Sequence, residues 1–314
     1  MILAAIDIGT NSTRLLISDF SDSGSIVLER TMKITRIGRN IGSTGKISRS
    51  SADDTLKTLI RYKDLMNKHD VLRYRAVGTS AIREAENSQW FTSYIYENSG
   101  IMIDTITGNE EACLSFNGAS KDLSLSPEDQ FKKILVLDIG GGSTEFILGD
   151  TGSKTGPHID MARSLNIGSV VLTEKFIKGT LPKRDELERL ESYIRSSIRE
   201  VVKNIAGEKD MRIAGVAGTI TTLAAIDLKL DEYDWQKIHR HELSYKWIKD
   251  IYKILCRTDL KDRKQITGLA PGRADIIISG TAILLEILKM LDRKILIVSE
   301  QDILDGIIYS LAEF

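Results

Sequence analysis

The first third of the chain alternates between short apolar runs and longer segments with helical spacing. Runs at about 2–8, 13–20 and 25–36 have the composition and period of strands, whereas 48–68 has apolar residues at helical spacing. Further strands are predicted at about 72–78 and 101–106, each followed by a helical segment, the second from Asn109. The predicted order of elements is βββαβαβα.

The second half of the chain repeats this order. Strands are expected near 133–138, 143–149, 154–163, 211–217 and 294–298, and helices near 169–177, 183–206, 302–313 and from about 219. Residues 120–132 are polar and contain one proline, so they are the predicted linker between the halves. The repeated order predicts an α/β fold built by duplication.

The strongest internal repeat consists of residues 4–17 and residues 135–148. Each copy is an apolar strand that ends in aspartate, then a glycine turn, a Ser-Thr pair and a second apolar strand. Such a turn presents backbone N–H groups and hydroxyls to an anion, and the aspartate holds a cation or a metal-bound water. Two copies predict a phosphate chain bound from both sides of a cleft.

The residues expected to bind phosphate lie in these turns and after two later strands. Glycines let phosphate approach the backbone closely, although a glycine triplet alone is also typical of a flexible turn. Gly-Thr at the carboxyl end of a strand favours anion binding, although it is also a common strand-to-helix turn. The predicted substrate-binding residues are Asn11, Ser12, Arg14, Gly141, Gly142, Ser143, Gly218 and Thr219, and Gly78-Thr79-Ser80 is the matching turn in the first half.

A metal site is predicted at the second hairpin. Asp138 and Glu145 are seven residues apart on its two arms, which brings two hard oxygen donors to the mouth of the turn. The alternatives are an aspartate that caps its own turn and a solvated glutamate. The first hairpin has Arg14 in place of Glu145, which favours a cationic phosphate contact or, equally, a surface arginine. Asp7 is expected to assist the metal through water.

Hydrolysis of a phosphoanhydride also requires a positioned water, and Glu111 is the candidate to hold it. It lies in Gly108-Asn109-Glu110-Glu111-Ala112, where a helix follows a strand. The alternative is that Asn109 caps the helix and both glutamates only complement its dipole. Adjacent helical residues point about 100° apart, so we assign Glu110 to the dipole and Glu111 to chemistry.

Composition narrows the class of protein. The chain has 314 residues, 42% hydrophobic and 28% charged residues, and a formal charge of −1, so no overall field attracts a nucleic acid. Its two cysteines show no metal-binding spacing, and no apolar run is long enough to cross a membrane. These features predict a soluble cytoplasmic protein with two domains, without a nucleic-acid or membrane partner.

Four motifs resemble one family. Asp7–Leu16, Asp138–Glu145, Gly108–Ala112 and Ala217–Ala224, in this spacing, are similar to the exopolyphosphatase/guanosine pentaphosphatase family of the actin–sugar kinase–Hsp70 superfamily, in its short two-domain type. The resemblance implies two actin-like (ribonuclease H-like) domains with a cleft between them, comprising 1–120 plus 302–314 and 121–301, the second carrying helical insertions.

The resemblance also implies roles for individual residues. Glu111 matches the catalytic base of the family, and Arg83 matches an arginine near the scissile phosphate, although an Arg83–Glu86 surface pair is the alternative. Asp138 and Glu145 match the residues that bind the divalent ion, Mg²⁺ or Mn²⁺. The expected substrates are inorganic polyphosphate or guanosine pentaphosphate, and we expect a homodimer.

The predicted function is metal-assisted hydrolysis of the terminal phosphate of polyphosphate, of the 5′-phosphate of guanosine pentaphosphate, or of both. One rival is an ATP-dependent phosphotransferase, similar to sugar or acetate kinases, on the same fold. Another is a sensor that binds polyphosphate or an alarmone without turning it over. Glu111, Asp138 and Glu145 together argue against the sensor.

Overall fold

A computed structural model describes residues 1–21, 24–123, 133–150, 158–208 and 210–312. Most of the predicted linker, residues 124–132, lies outside this range, as do the first residues of the strand predicted at 154–163. Residues 120–123, also assigned to the linker, form the end of a helix instead. Within the described residues, no helix combines the length and the apolar character needed to cross a membrane.

The strands form two mixed sheets. The first has the order β3-β2-β1-β4-β5, and the second has the order β10-β11-β9-β6-β7-β8. The strands are β1 Ile2–Ile8, β2 Ser12–Ser21, β3 Gly24–Ile34, β4 Arg73–Gly78, β5 Ile103–Thr105, β6 Lys133–Ile139, β7 Thr144–Asp150, β8 His158–Leu165, β9 Met211–Val216, β10 Glu242–Ser244 and β11 Ile295–Val298.

Helices follow the strands in both halves. They are α1 Ile41–Thr44, α2 Arg49–Lys68, α3 Ser80–Glu84, α4 Ser88–Ser99, α5 Gly108–Leu123, α6 Ser169–Phe176, α7 Arg184–Ile205, α8 Ala217–Asp227, α9 Trp235–Ile238, α10 Tyr245–Arg257, α11 Leu260–Arg263, α12 Ile277–Met290 and α13 Ile303–Ala312. A 3₁₀ turn, Pro271–Arg273, precedes α12.

The two sheets share one topology. In each, a central strand pairs antiparallel with the next strand of a hairpin and parallel with the strand on its other side. β10 has no counterpart in the first sheet, and its three residues were too few to predict from pattern. The predicted α/β fold with duplicated βββαβαβα order, the ribonuclease H-like arrangement of actin-like proteins, is confirmed.

The chain divides into two compact units, Met1–Gly118 with Ile303–Phe314, and Ala119–Asp302. We call them unit 1 and unit 2. The predicted domain limits differ from these boundaries by one or two residues, and the status of the units as domains with a cleft between them stays a prediction.

Unit 1 has apolar clusters on both faces of its sheet. The buried strand β1 alternates between them, with Ile6 in the cluster beneath α2 and α4, and Leu3 in the cluster that includes α13 residues such as Ile307. Gly306 of α13 lies against the backbone carbonyl of Leu114 in α5, at a distance that leaves no room for a Cβ. The last helix therefore packs tightly against the helix that carries Glu111.

Unit 2 has one continuous apolar cluster. Leu135 and Leu137 of β6 join buried residues of α7, α8 and α12, including Ile194, Leu223 and Ile283. Helix α12 is buried from Ile277 to Leu288, which explains its nearly uninterrupted apolar sequence. This core supports the edge of the second sheet from which the glycine turn projects.

Candidate active site

Equivalent backbone hydrogen bonds close the two glycine turns at their base. The amide of Gly9 donates to the carbonyl of Ser12 over 2.9 Å, and the amide of Gly140 donates to the carbonyl of Ser143 over 3.0 Å. The repeat seen in the sequence is thus a repeat in structure.

The turn of unit 2 is held by the start of α6. The amides of Ser169 and Val170 donate to the carbonyls of Gly140 and Gly141, both over 2.9 Å. The described chain has no cis peptide, so each carbonyl is antiparallel to the next N–H. The N–H groups of Gly141 and Gly142 therefore point away from α6, as an anion-binding turn requires.

The turn of unit 1 is held in a similar way by the segment after β3. The amide of Gly38 donates to the carbonyl of Thr10 over 2.8 Å, and that of Arg36 donates to the carbonyl of Asn11 over 2.9 Å. By the same peptide geometry, the N–H groups of Asn11 and Ser12 point away from this segment.

Two glycines permit this close support, and sequence reasoning assigned a role to neither of them. A Cβ on Gly168 would collide with the backbone of Gly141 and Gly142, and a Cβ on Gly38 would collide with Thr10. Each glycine follows a buried isoleucine, so the dipeptides Ile37-Gly38 and Ile167-Gly168 were the available signal.

Asn11 brings a further donor to the first turn. Its side chain is 6% exposed, and its Nδ2 atom lies buried without a hydrogen-bond acceptor among the described groups. A buried amide left in this condition costs about 1–3 kcal/mol. An acceptor supplied by a ligand would remove that cost.

The first hairpin neutralises its own aspartate. Asp7 and Arg14 are paired directly across β1 and β2, and the Nε and Nη2 atoms of Arg14 donate to Oδ2 of Asp7 over 2.9 and 2.7 Å. Arg14 is therefore an ion-paired, largely buried residue, and the alternative of a free surface arginine is wrong. A contribution of Asp7 to a metal through water stays a prediction.

The second hairpin places two carboxylates in the same positions. Asp138 and Glu145 are directly paired across β6 and β7, so their side chains share one face of the sheet. Glu145 is 1% exposed and its Oε1 accepts from the hydroxyl of Ser164 over 2.7 Å, so the alternative of a solvated glutamate is wrong. The amide of Gly140 already donates to the carbonyl of Ser143, so it does not donate to the side chain of Asp138 as a cap of the turn would require.

These two carboxylates fit a small hard cation. Mg²⁺ is commonly bound by one or two protein carboxylates, with water and substrate phosphates as its other ligands. Among the residues that the structure describes, no group of three or more His, Cys, Asp or Glu side chains is placed to hold a metal ion. The donors at the second hairpin therefore suit a cation that shares its coordination with substrate.

Glu111 is fixed by Arg83. The Nη1 atom of Arg83 donates to Oε2 of Glu111 and to the carbonyl of Ile106, both over 3.0 Å. Arg83 also lies 3.7 Å from Glu84, so the pairing that the structure shows is not the predicted alternative with Glu86. A guanidinium that bridges a carboxylate and a backbone carbonyl restricts the carboxylate to one orientation.

Glu110 has a different partner, as the angle between adjacent helical residues predicts. It accepts from Nη2 of Arg75, which also pairs with Asp104, and its side chain is 42% exposed. The alternative in which Asn109 caps the helix is wrong: the hydroxyl of Thr107, not the side chain of Asn109, accepts from the amide of Glu110 over 3.2 Å. Threonine is favoured here because α5 begins at the next residue.

The Gly-Thr turns are not equivalent by position. Val77 is paired with Asp7 and Val216 with Asp138, so Gly78 corresponds to Ala217, which has a left-handed φ of 66°. Gly218 and Thr219 therefore lie one residue farther into α8 than the sequence comparison implied. Gly218 leaves room for the guanidinium of Arg273, which occupies the position a Cβ would take.

Each unit gathers its candidate residues at one edge of its own sheet. In unit 1, Gly78 of β4 is paired with Ile8 of β1 on one side and with Thr105 of β5 on the other. The three strands therefore end side by side, and the glycine turn, Arg83 and Glu111 each follow one of these ends. In unit 2, the glycine turn follows β6 and Gly218 follows the neighbouring β9. Ligands collect at such carboxyl edges in open α/β sheets.

Comparison with known proteins decides the family. A model of the Ppx/GppA phosphatase family matches residues 16–313, which is nearly the whole chain. The chain belongs to the Ppx/GppA phosphatase family. The resemblance found in the sequence is confirmed, and the chain is a hydrolase of this family.

Relatives and solved structures support this assignment. Exopolyphosphatase 2 of Mycobacterium tuberculosis is 32% identical over 99% of this chain and 98% of its own length. The bifunctional 3-dehydroquinate synthase/phosphatase of Fusobacterium nucleatum is 35% identical over 97% of this chain, which spans 46% of that relative. The crystal structure of the Aquifex aeolicus Ppx/GppA family member has a TM-score of 0.79 and 30% identity, covering 100% of this chain and 98% of that one.

Proposed function

We propose that this Ppx/GppA phosphatase is an exopolyphosphatase that removes the terminal phosphate of inorganic polyphosphate, and that it also accepts the 5′-phosphate of guanosine pentaphosphate. The observation that carries the proposal is the position of Glu111. Its largely buried carboxylate is held by Arg83 at the same sheet edge as the glycine turn of unit 1, which presents amides suited to an anion. The curated relative in Mycobacterium tuberculosis is named an exopolyphosphatase.

The turns and Arg14 bind the phosphates in this proposal. The amides of Asn11 and Ser12, with the Nδ2 atom of Asn11, donate to phosphate oxygens in unit 1. The ion pair with Asp7 holds Arg14 beside the turn and preserves its guanidinium for contact with the same anion. In unit 2 the amides of Gly141, Gly142 and Ser143, and the Gly218-Thr219 turn, are the proposed phosphate donors.

Asp138 and Glu145 are the proposed ligands of a divalent ion, Mg²⁺ or Mn²⁺. When bound, such an ion neutralises charge on the phosphate that is attacked. Ser164 orients Glu145 through the hydroxyl hydrogen bond. Asp7 is proposed to contribute only through water, because Arg14 already compensates its charge.

Glu111 is the proposed general base. A water between its carboxylate and the terminal phosphate transfers a proton to Glu111 as the oxygen attacks phosphorus, and the shortened polyphosphate leaves. Arg83 keeps the carboxylate in position and offsets the charge that develops on the phosphoryl oxygens. General-base catalysis of this kind contributes about 10²–10⁴-fold in rate.

The test is phosphate release measured in parallel on long polyphosphate, tripolyphosphate, guanosine pentaphosphate and ATP with Mg²⁺. The proposal expects release from polyphosphate and from guanosine pentaphosphate, in both cases without any acceptor sugar or acetate. Production of ADP from ATP that depends on such an acceptor, with no release from polyphosphate, would contradict it in favour of a phosphotransferase. A homodimer and a cytoplasmic location remain proposals from sequence.

A further inference from the structure

An exposed aromatic side chain lies at the sheet edge of unit 2, and the proposed mechanism does not use it. Tyr233, in the loop between α8 and α9, is 60% exposed, yet its hydroxyl donates to Oε1 of Glu300, which is 8% exposed. The exposed area of this tyrosine therefore belongs mainly to the ring, while the hydroxyl is anchored.

The anchor is part of the sheet edge. Glu300 is the second residue after β11: the amide of the intervening Ser299 donates to the carbonyl of Gly215 over 2.8 Å, and that of Glu300 donates to Nδ1 of His239 over 3.2 Å. Burial of the hydroxyl, reinforced by the Glu300 carboxylate, raises the pKa of Tyr233, so the phenol stays protonated and keeps its hydrogen bond to Glu300 well into alkaline pH. The ring is thus held in one orientation rather than rotating freely.

The position of the ring fits a ligand that also reaches the phosphate turns. Strands β6, β9 and β11 are consecutive parallel neighbours, so Asp138, Val216 and Glu300 emerge at the same edge of the sheet. Neighbouring strands lie about 4.8 Å apart, which separates the ends of β6 and β11 by about 10 Å. A ribose and a purine extend over such a span.

We propose that the ring of Tyr233 is a stacking surface for the base of a nucleoside 5′-polyphosphate whose phosphates occupy the glycine turn of unit 2. Aromatic rings accept any base, because every base has a π-face. Inorganic polyphosphate has no aromatic group and makes no use of this surface. The inference rests on the proposed function and assigns its nucleotide substrate a binding surface that polyphosphate lacks.

The experiment compares guanosine pentaphosphate with long polyphosphate as substrates of the wild type and of Tyr233→Ala and Tyr233→Phe. Loss of stacking raises KM for guanosine pentaphosphate roughly five- to hundredfold in Tyr233→Ala and leaves KM for polyphosphate unchanged. Tyr233→Phe keeps the ring and loses the anchor, so its KM lies between those of the wild type and the alanine variant. Tyr96→Ala is the matched control, because Tyr96 is 53% exposed on α4.

Other outcomes overturn the inference. Equal loss on both substrates would show that Tyr233 supports the fold, and no loss on either would remove it from binding. A phenylalanine variant as impaired as the alanine variant would exclude stacking as the cause. If the wild type hydrolyses polyphosphate but neither hydrolyses nor is inhibited by guanosine pentaphosphate, the inference fails while the exopolyphosphatase proposal stands. If no substrate is hydrolysed, the proposed function fails. The inference is then tested by calorimetric binding of guanosine pentaphosphate, and equal affinity in the wild type and Tyr233→Ala overturns it as well.

Discussion

The β1–β2 and β6–β7 hairpins have the same strand pairing and differ in charge at a single position. In both, the aspartate at the end of the first strand faces the residue seven positions later, directly across the ladder. In the first hairpin that residue is Arg14, and the pair Asp7–Arg14 is neutral. In the second it is Glu145, and Asp138 and Glu145 together can contribute two negative charges to one face of the sheet.

This difference shows how a duplicated scaffold can serve ligands of opposite charge. The turn amides offer donors to anions in both copies, because their carbonyls are occupied by a neighbouring segment. The residue across the ladder then decides whether the aspartate is neutralised within the hairpin or joined by a second carboxylate that attracts a cation. We therefore propose phosphate contact at the first hairpin and a divalent ion, together with phosphate, at the second.

The largest expected effect concerns Glu111, the unit 1 carboxylate that lies outside the hairpin. Glu111→Gln should lower kcat for polyphosphate about 10²–10⁴-fold, because the amide cannot accept the proton of water. KM and the thermal unfolding temperature should change little, since Arg83 can still donate to the amide oxygen. Steady-state kinetics and a melting curve measure both.

Glu110→Gln is the matched control for this variant. Glu110 is the adjacent glutamate in the same helical turn, but it pairs with Arg75 at the surface, where an ion pair contributes about 0–1 kcal/mol. Its kcat should remain near that of the wild type. Equal losses in the two variants would mean that the helix terminus, not Glu111 itself, is required.

The glycines that support the turns should respond differently in the two copies. A Cβ on Gly168 meets backbone atoms of Gly141 and Gly142, whereas the nearest atom to a Cβ on Gly38 is a side-chain methyl of Thr10. Because a side chain can rotate and a turn cannot, Gly168→Ala should lower the free energy of unfolding by about 1–3 kcal/mol and Gly38→Ala by less.

Chemical denaturation of both variants measures this difference, with Gly207→Ala as the control, since no atom lies within 4 Å of a Cβ there. Phosphate release should fall more in Gly168→Ala than in Gly38→Ala. Stability losses of equal size, or a larger loss in Gly38→Ala, would contradict the account of how the turns are held.

Much of this architecture could be predicted because its determinants are local. The strands β1 and β6 are apolar runs that end in aspartate, and most element limits agree with the pattern to within two or three residues. The hairpin spacing correctly placed Glu145 opposite Asp138. The same reasoning applies to Asp7 and Arg14, but their ion pair was not predicted because Arg14 was considered only as a ligand or a surface residue.

The remaining features depend on contacts between distant residues. Gly168 supports Gly141 from a different part of the chain, and Gly218 leaves room for Arg273, which no local pattern indicates. Arg83 and Glu111 meet because β4 and β5 are neighbours, so their hydrogen bond follows from the sheet order. The cap of α5 is Thr107 because the helix begins one residue before the predicted Asn109.

The two cysteines report on the two units separately. Cys113 lies in unit 1 and Cys256 in unit 2, and burial raises the pKa of Cys256 from 9.0 to about 11. Because only the thiolate reacts, Cys256 at pH 8 should be alkylated roughly a hundredfold more slowly than an unshifted thiol. The rate should rise tenfold per pH unit up to about pH 11.

Burial also raises the pKa of Cys113, which is less enclosed, so its labelling should be slowed to a smaller extent. Mass spectrometry of the native protein after timed alkylation separates the two sites. Cys256 reacting as fast as Cys113 at pH 8 would show that unit 2 opens around α10 more readily than its packing suggests.

The central claim is that one position of the duplicated hairpin separates phosphate contact from metal binding. Its most direct test is the Mg²⁺ concentration that gives half-maximal polyphosphate hydrolysis in the wild type, Glu145→Gln and Arg14→Gln. We predict that this concentration rises at least about tenfold in Glu145→Gln and is unchanged in Arg14→Gln, which instead raises KM for polyphosphate. An unchanged Mg²⁺ requirement in Glu145→Gln, or an equal shift in Arg14→Gln, would contradict the claim.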